Sequence, residues 1–442
     1  MYYDLLSPTP PPLPRKLPGM VNHIISKVPD YVKPAAAQML FPPLAAQMHD
    51  VEFRYITNVL REPVCCMEGC VADSGIGKGF IDDMIEEIIR PLREHDRESD
   101  RKLEEWSSEC NTKGSNKDKP ERPKDASTLC PESDFTNAAL ITIAKDAERE
   151  GNRSFYTLMG EVDQLDQNCG SHKKVTNIIR LNYDTKIYGA HRATANGISG
   201  RAHLRWKFNF SSTPESVREF FKGRALTDGT LGRVGISWLA KPLERKKGDS
   251  RQGDYDDAYR QKLDEYMQRL LSASGRGEVK VRSIDRLIER LWAELDAYCD
   301  LVDDKTFEGF ERRSIERGWL KGCICYIAEG YRWTKEIAEF VEWSIYYDLW
   351  SKIHVFCSQM KRQGEKSLVD KRRFGPVNML DLLPASFTVA QWEQMRQAHD
   401  KPCDDKTQLY TWQSRGFVTY SNQTGMYSKT AEYLAKHPQS AK

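Results

Sequence analysis

The residues with the clearest chemical potential form the run Ala72-Asp73-Ser74-Gly75-Ile76-Gly77-Lys78-Gly79. Glycines let a chain turn tightly enough for backbone N–H groups to converge on an anion, and a following Lys adds a mobile positive charge. That is phosphate-binding chemistry, with Ser74, Gly75, Ile76, Gly77, Lys78 and Gly79 expected to line the site. Two positions depart from the full pattern G-x-x-x-x-G-K-[ST]. Ala72 replaces the first Gly, a mild change where φ is negative. Gly79 replaces the hydroxyl residue that ordinarily ligates Mg2+. The competing reading is an ordinary glycine turn before a helix.

A phosphate loop needs a strand before it and a helix after it, because the helix N-terminus presents free N–H groups to the anion. The apolar run 64–67, with Val71 beyond, predicts a buried strand. Ile81, Met84, Ile85, Ile88 and Ile89 make one helical stripe, which Pro91 is expected to close. Nucleotide hydrolysis further needs an acid at the end of a neighbouring strand. Residues 154–159 read as that strand and run into Gly160-Glu161-Val162-Asp163. Glu161 is the candidate for polarising the attacking water, and Asp163 or Glu161 for touching Mg2+. Gly160 stands where an Asp is usual. Residues 201–210 alternate with period two, placing Arg205 and Lys207 on a face expected to meet solvent. Asn209 or a hydroxyl within 211–213 is the candidate sensor of a γ-phosphate. Arg233 follows a glycine turn ahead of the apolar run 236–239 and suits a finger offered to a neighbouring subunit.

Several stretches together resemble the helicase-like P-loop ATPases of bacterial mobile genetic elements, often found with VirE-type or primase-like N-terminal domains. They are Leu17-Pro18, Lys27-Val28-Pro29-Asp30-Tyr31, Cys65-Cys66 with the Gly-Lys loop, Tyr156-Thr157-Leu158-Met159-Gly160-Glu161, and Leu226-Thr227-Asp228-Gly229-Thr230-Leu231-Gly232-Arg233. The resemblance covers about 17–427. It implies an α/β P-loop NTPase core using ATP and Mg2+, assembly into a homo-oligomeric ring, work on single-stranded or forked DNA, and a primase-like partner. Members commonly carry Ser or Thr at the position of Gly79 and Asp at that of Gly160.

The chain has 442 residues and a formal net charge of +2, so nucleic-acid contacts would have to come from local patches. No apolar run approaches membrane-spanning length. Eleven scattered cysteines suggest reduced thiols in a cytoplasm. Composition divides the chain into a Pro-rich leader (1–16), an ATPase core (17–245) with a charged insertion near 93–125, a helical domain (246–365) and a winged-helix-like domain (366–442). The last rests on three short helical signals and a hairpin turn at Asn422-Gln423-Thr424-Gly425. Its third helix would offer Lys406, Gln408, Tyr410 and Arg415 to DNA. The resulting expectation is an ATP-dependent DNA helicase or translocase acting in replication or transfer of a mobile element. The alternative, motivated by Gly79 and Gly160, is a non-hydrolysing nucleotide-binding scaffold or sensor that binds DNA or a partner protein.

Overall fold

A computed structural model describes residues 3–113, 120–165, 175–190, 200–240, 252–362, 377–403 and 405–437. Four parallel strands form the central sheet, in the order Phe155–Met159, Trp206–Ser212, Met67–Val71, Gly235–Trp238. Parallel strands are covered on both faces by their crossover helices, and every residue of Met67–Val71 and Trp206–Ser212 is buried. Gly69 is needed here, because a Cβ would stand 2.1 Å from the Phe210 ring that lies across it.

This burial corrects the expectation for Arg205 and Lys207. Neither meets solvent: Arg205 forms a two-point pair with Glu62 at 2.6 and 3.0 Å, and Lys207 donates to the Ser154 hydroxyl. Burial lowers the Lys207 ammonium to about 7, against the pull of Glu62. Strand pairing also starts later than expected. Pro63 opens a one-turn 3-10 helix, Pro63–Cys65, and the ladder begins with Met67 opposite Phe208.

The helix after the loop does not stop at Pro91 but runs as one 34-residue helix, Gly79–Thr112. A Pro inside a helix forfeits a backbone hydrogen bond and costs about 3 kcal/mol. Tertiary anchoring beyond it offsets that loss: Leu92 is buried, and the Asp96 carboxylate accepts from the Leu129 and Cys130 amides at 2.8 and 2.6 Å. The charged stretch 93–113 is therefore a continuation of this helix; residues 114–119 of the expected insertion lie outside the described residues.

Further along, the chain forms the helices Asp257–Leu271, Arg282–Val302, Lys305–Ala328 and Lys335–Arg362. These helices share one hydrophobic core with the sheet, from Tyr3 to Phe356. Gly235–Trp238 is an edge strand whose outward amides would otherwise be unpaired. The Asp348 carboxylate accepts from the Ile236 amide at 2.8 Å, and the Ser351 hydroxyl from that of Trp238 at 3.1 Å. Burial alone would raise the Asp348 carboxyl, but Arg317 and Lys352 hold it far below the ordinary carboxylate range. The leader also joins the core: Trp343 and Trp350 donate through their indole N–H groups to the carbonyls of Pro11 and Ser7. It is a packed strap rather than a free tether.

Residues 377–437 carry a second, smaller core built on Phe387, Trp392, Leu409, Trp412 and Val418, to which Leu301 contributes. Its three-stranded sheet has the order Ser386–Phe387, Met426–Lys429, Val418–Ser421, flanked by the helices Val389–Ala398 and Thr407–Ser414. The expected first helix is only the 3-10 turn Leu380–Leu382, pinned by the Asn378 side chain accepting from the Leu380 amide.

One buried group makes stability depend on pH. Glu311 is fully buried in Lys305–Ala328, and neither carboxylate oxygen has a hydrogen-bond partner among the described residues. Burial first, and the Asp296 charge second, raise its carboxyl from 4.5 to about 8. The folded state thus holds a proton that the unfolded chain releases, so stability is greatest below pH 4.5 and is lost as pH rises through 8. The expected loss between pH 5 and pH 9 is roughly 4 kcal/mol, on the scale of about 1.4 kcal/mol per pKa unit. Denaturant unfolding of Glu311→Gln across that range should lack this component of the slope; a parallel slope in variant and wild type would show that Glu311 does not cause it.

Candidate functional site

The loop 72–79 leaves the carboxyl end of Met67–Val71, the edge of a parallel sheet where ligands ordinarily bind. It is tied to the neighbouring strands by backbone: the Ala72 amide donates to Ser212 O at 3.0 Å, and the Leu239 amide to Val71 O at 2.9 Å. Gly75 and Gly77 have φ of +76° and +107°, the left-handed region that glycine enters without strain. Asp73, Ser74 and Gly75 are exposed, while Ile76 is buried as the loop's anchor.

Lys78 sits at the N-cap of Gly79–Thr112, and no side chain caps that terminus. The first turn of a helix carries unsatisfied N–H groups and a partial positive charge. The Lys78 side chain makes no hydrogen bond or ion pair with any described residue. The Phe80 and Ile81 amides donate back to Gly77 O at 3.2 Å and Lys78 O at 2.9 Å, so what this turn offers an anion is the Lys78 ammonium and the positive end of the helix.

Glu161 follows Phe155–Met159 and reaches the same edge of the sheet. Its carboxylate accepts from the Ser212 hydroxyl at 2.5 Å, and Ser212 is the residue whose carbonyl receives the Ala72 amide. The acid and the loop are thus joined through one serine at the end of the intervening strand. Asp163 lies one turn on and is exposed. Asn209 is not a sensor: it is buried, accepts from the Tyr156 hydroxyl at 2.8 Å and donates to Met39 O at 3.0 Å. Thr213 is committed as the cap of the following helix Pro214–Phe220. Of the hydroxyls in 211–213, Ser212 is the one placed beside both loop and acid.

Asp82 went unrecognised in the sequence. It lies one turn beyond Lys78, where Ser211 donates to its carboxylate at 3.4 Å. Burial raises it to about 6, opposed by the Ser211 bond. Its i,i+4 spacing from Lys78 was the available signal.

Arg233 is placed elsewhere. It ends the short helix Thr230–Arg233 just before Gly235, which pairs with Glu68 near the start of the loop strand, so it lies at the opposite end of the sheet from Lys78. Its guanidinium donates to Gly229 O at 3.0 Å, pairs with Asp184 at 3.4 Å and lies over the Tyr183 ring. Within one chain the guanidinium is thus held by its own neighbours, away from the loop of that chain.

The four residues expected to face DNA divide. Tyr410 is 65% exposed and Lys406 is also exposed. Gln408 accepts from the Trp392 indole at 2.9 Å and from Arg396 at 2.7 Å. Arg415 pairs with Asp296 and Asp300 of Arg282–Val302 at 2.5 and 2.8 Å. The Trp412 indole donates to Asp300 O on that same helix. Half of the expected DNA face is therefore spent on contacts within the chain, two of them with an acidic helix.

Mg2+ binds oxygen ligands and is commonly held by one or two carboxylates together with substrate phosphates. Glu161, Asp163 and Asp82 supply donors of that kind near the loop, while Gly79 and Gly160 supply none. Among the described residues no group of three or more His, Cys, Asp or Glu is placed to cage a metal unaided. The described cysteines are free, and Cys65, Cys66, Cys70, Cys323 and Cys325 are core residues. No helix among the described residues is long and apolar enough to cross a membrane.

No family model matches the chain, and no curated protein matches it. Among solved structures it is similar to one described as "SCCmec type IV Cch - active helicase", at 12% identity and a TM-score of 0.28, over 98% of this chain and 72% of the other. So slight a likeness leaves the functional reading to rest on the site itself.

Proposed function

We propose that the chain binds ATP through the loop 72–79 and couples that binding to helicase-like work on DNA. The observation that carries this reading is the placement of Glu161, Ser212 and Ala72 in one hydrogen-bonded line beside an uncapped helix bearing a free Lys78. Residues 74–79 would wrap the phosphates, with Lys78 balancing their charge. Glu161 would orient the attacking water, held in place by the Ser212 hydroxyl. Mg2+ fits at Asp163 or Glu161, and when bound it would neutralise charge on the phosphates. The exposed Tyr410 and Lys406 are the residues left to meet DNA.

A second reading, a nucleotide sensor that does not hydrolyse, is favoured by Gly79 and Gly160. Neither glycine is demanded by the fold. Neither has a positive φ, and a Cβ added at either meets nothing within 4 Å. Side chains can therefore be installed there without disturbing the loop. The deciding experiment is ATP turnover by wild type and by Gly79→Ser/Gly160→Asp, each with and without single-stranded DNA. DNA-stimulated turnover in the wild type supports the motor; tight ATP binding without turnover supports the sensor. In either case the double variant should gain about tenfold or more in Mg2+-dependent turnover, equivalent to about 1.4 kcal/mol of barrier. No gain would mean that the metal does not sit at this edge of the loop.

A further inference from the structure

We infer that Tyr31 is a positioning residue for the phosphate loop, its hydroxyl fixing the direction in which the Gly77 amide points. This inference rests on the ATP-binding reading above and names the residue that shapes that site. Tyr31 lies 45 residues before Ile76, on the segment leading into the helix Lys33–Met39, and donates to Ile76 O at 2.8 Å. Ile76 is the residue between the two left-handed glycines.

A peptide unit is planar and trans, so its C=O and N–H point in opposite directions. Holding the Ile76 carbonyl toward Tyr31 therefore sends the Gly77 N–H the other way. Alternation of backbone hand across Gly75, Ile76 and Gly77 is the geometry that brings successive N–H groups together into an anion-binding concavity. An anion there repels any carbonyl turned inward, and the Tyr31 bond keeps Ile76 O turned toward the tyrosine. The fit is close from the other side as well: a Cβ on Gly77 would come within 2.6 Å of the Tyr31 oxygen.

The mount is rigid. Val28 and Val32, flanking Tyr31, are fully buried, and the Val32 amide donates to Pro29 O at 2.9 Å. Gln252 clasps the same segment, donating from its amide to Lys27 O at 2.9 Å and from its side chain to Asp30 at 3.1 Å. Tyr31 thus transmits the position of the core to the loop.

The test is equilibrium binding of ATP and of inorganic tripolyphosphate to wild type, Tyr31→Phe and Lys78→Ala. Tyr31→Phe removes one hydroxyl and keeps the ring. It should weaken both ligands by about the same five- to tenfold, the effect of one hydrogen bond that orients another. The melting temperature of the ligand-free protein should fall by no more than about 2 °C. Unchanged affinity, or a loss for ATP with none for tripolyphosphate, overturns the inference. If Lys78→Ala weakens binding and Tyr31→Phe does not, the inference alone falls. If the wild type binds neither ligand, or Lys78→Ala binds as the wild type does, the ATP-binding reading falls and takes the inference with it.

Discussion

Replacing Lys78 with Ala should weaken ATP binding by two orders of magnitude or more, while leaving the fold intact. Charge-assisted hydrogen bonds contribute about 1.5–3 kcal/mol each, and about 2.7 kcal/mol is a hundredfold in affinity. The loss should be clean, because the Lys78 side chain has no hydrogen-bond or ion-pair partner among the described residues and acts on Asp82 and Cys70 only through its charge. Circular dichroism and thermal melting should match wild type, and titration calorimetry with ATP should show little or no heat. Wild-type affinity in Lys78→Ala would remove the loop from the site. A comparable loss in Glu161→Gln would be unexpected, since Glu161 is assigned to water and not to phosphate; that variant should keep its affinity and lose turnover.

The local elements around the loop were more legible than their surroundings. The loop, the strand before Glu161 and the helix stripe from Ile81 to Ile89 are local patterns, and each stands where period and turn chemistry put it. What misled were residues whose environment is set by distant parts of the chain. Lys207 and Arg205 read as a solvated face because alternation suggests a strand exposed on one side. Only the sheet order reveals that their strand is central and covered on both faces. Pro91 read as a stop because the anchor beyond it, Asp96, finds its partners over 30 residues away. The intrachain contacts of Arg233 are equally invisible in its local sequence, a glycine turn followed by a strand. No local signal shows that Tyr183 and Asp184 lie beneath it. The contacts of Arg415 and Gln408 are equally non-local, since their partners come from another helix or from the packing of Trp392.

The buried charge under the loop strand gives the largest expected effect on stability. Glu68 lies on Met67–Val71, three residues before the strand's end, and pairs with Lys321 at 2.7 Å; both side chains are at most 2% exposed. Lys321 also donates to Gln38, whose side-chain amide donates to Ser344 O at 3.0 Å, so the pair ties the sheet to both long helices. Gly235 makes room for it, since a Cβ there would fall 1.9 Å from the Glu68 carboxylate. Two ions removed from water lose much of their mutual attraction to desolvation, so the intact pair adds little net stability. Removing one partner is different, because it strands the other charge in the core. Lys321→Met should therefore cost about 3–5 kcal/mol, read as a lower denaturant midpoint at unchanged m-value. Glu68→Gln in that background should recover most of the loss, since a neutral amide of the same shape needs no counter-charge. Equal midpoints for Lys321→Met and wild type would mean that water reaches Glu68. Failure of the second change to rescue the first would mean that the lysine stem's packing, and not its charge, holds the helices to the sheet. The pair sits on the strand that leads into the loop, so the same experiment has a functional arm. If the network only stabilises, ATP affinity measured well below the midpoint should be unchanged in the rescued double variant.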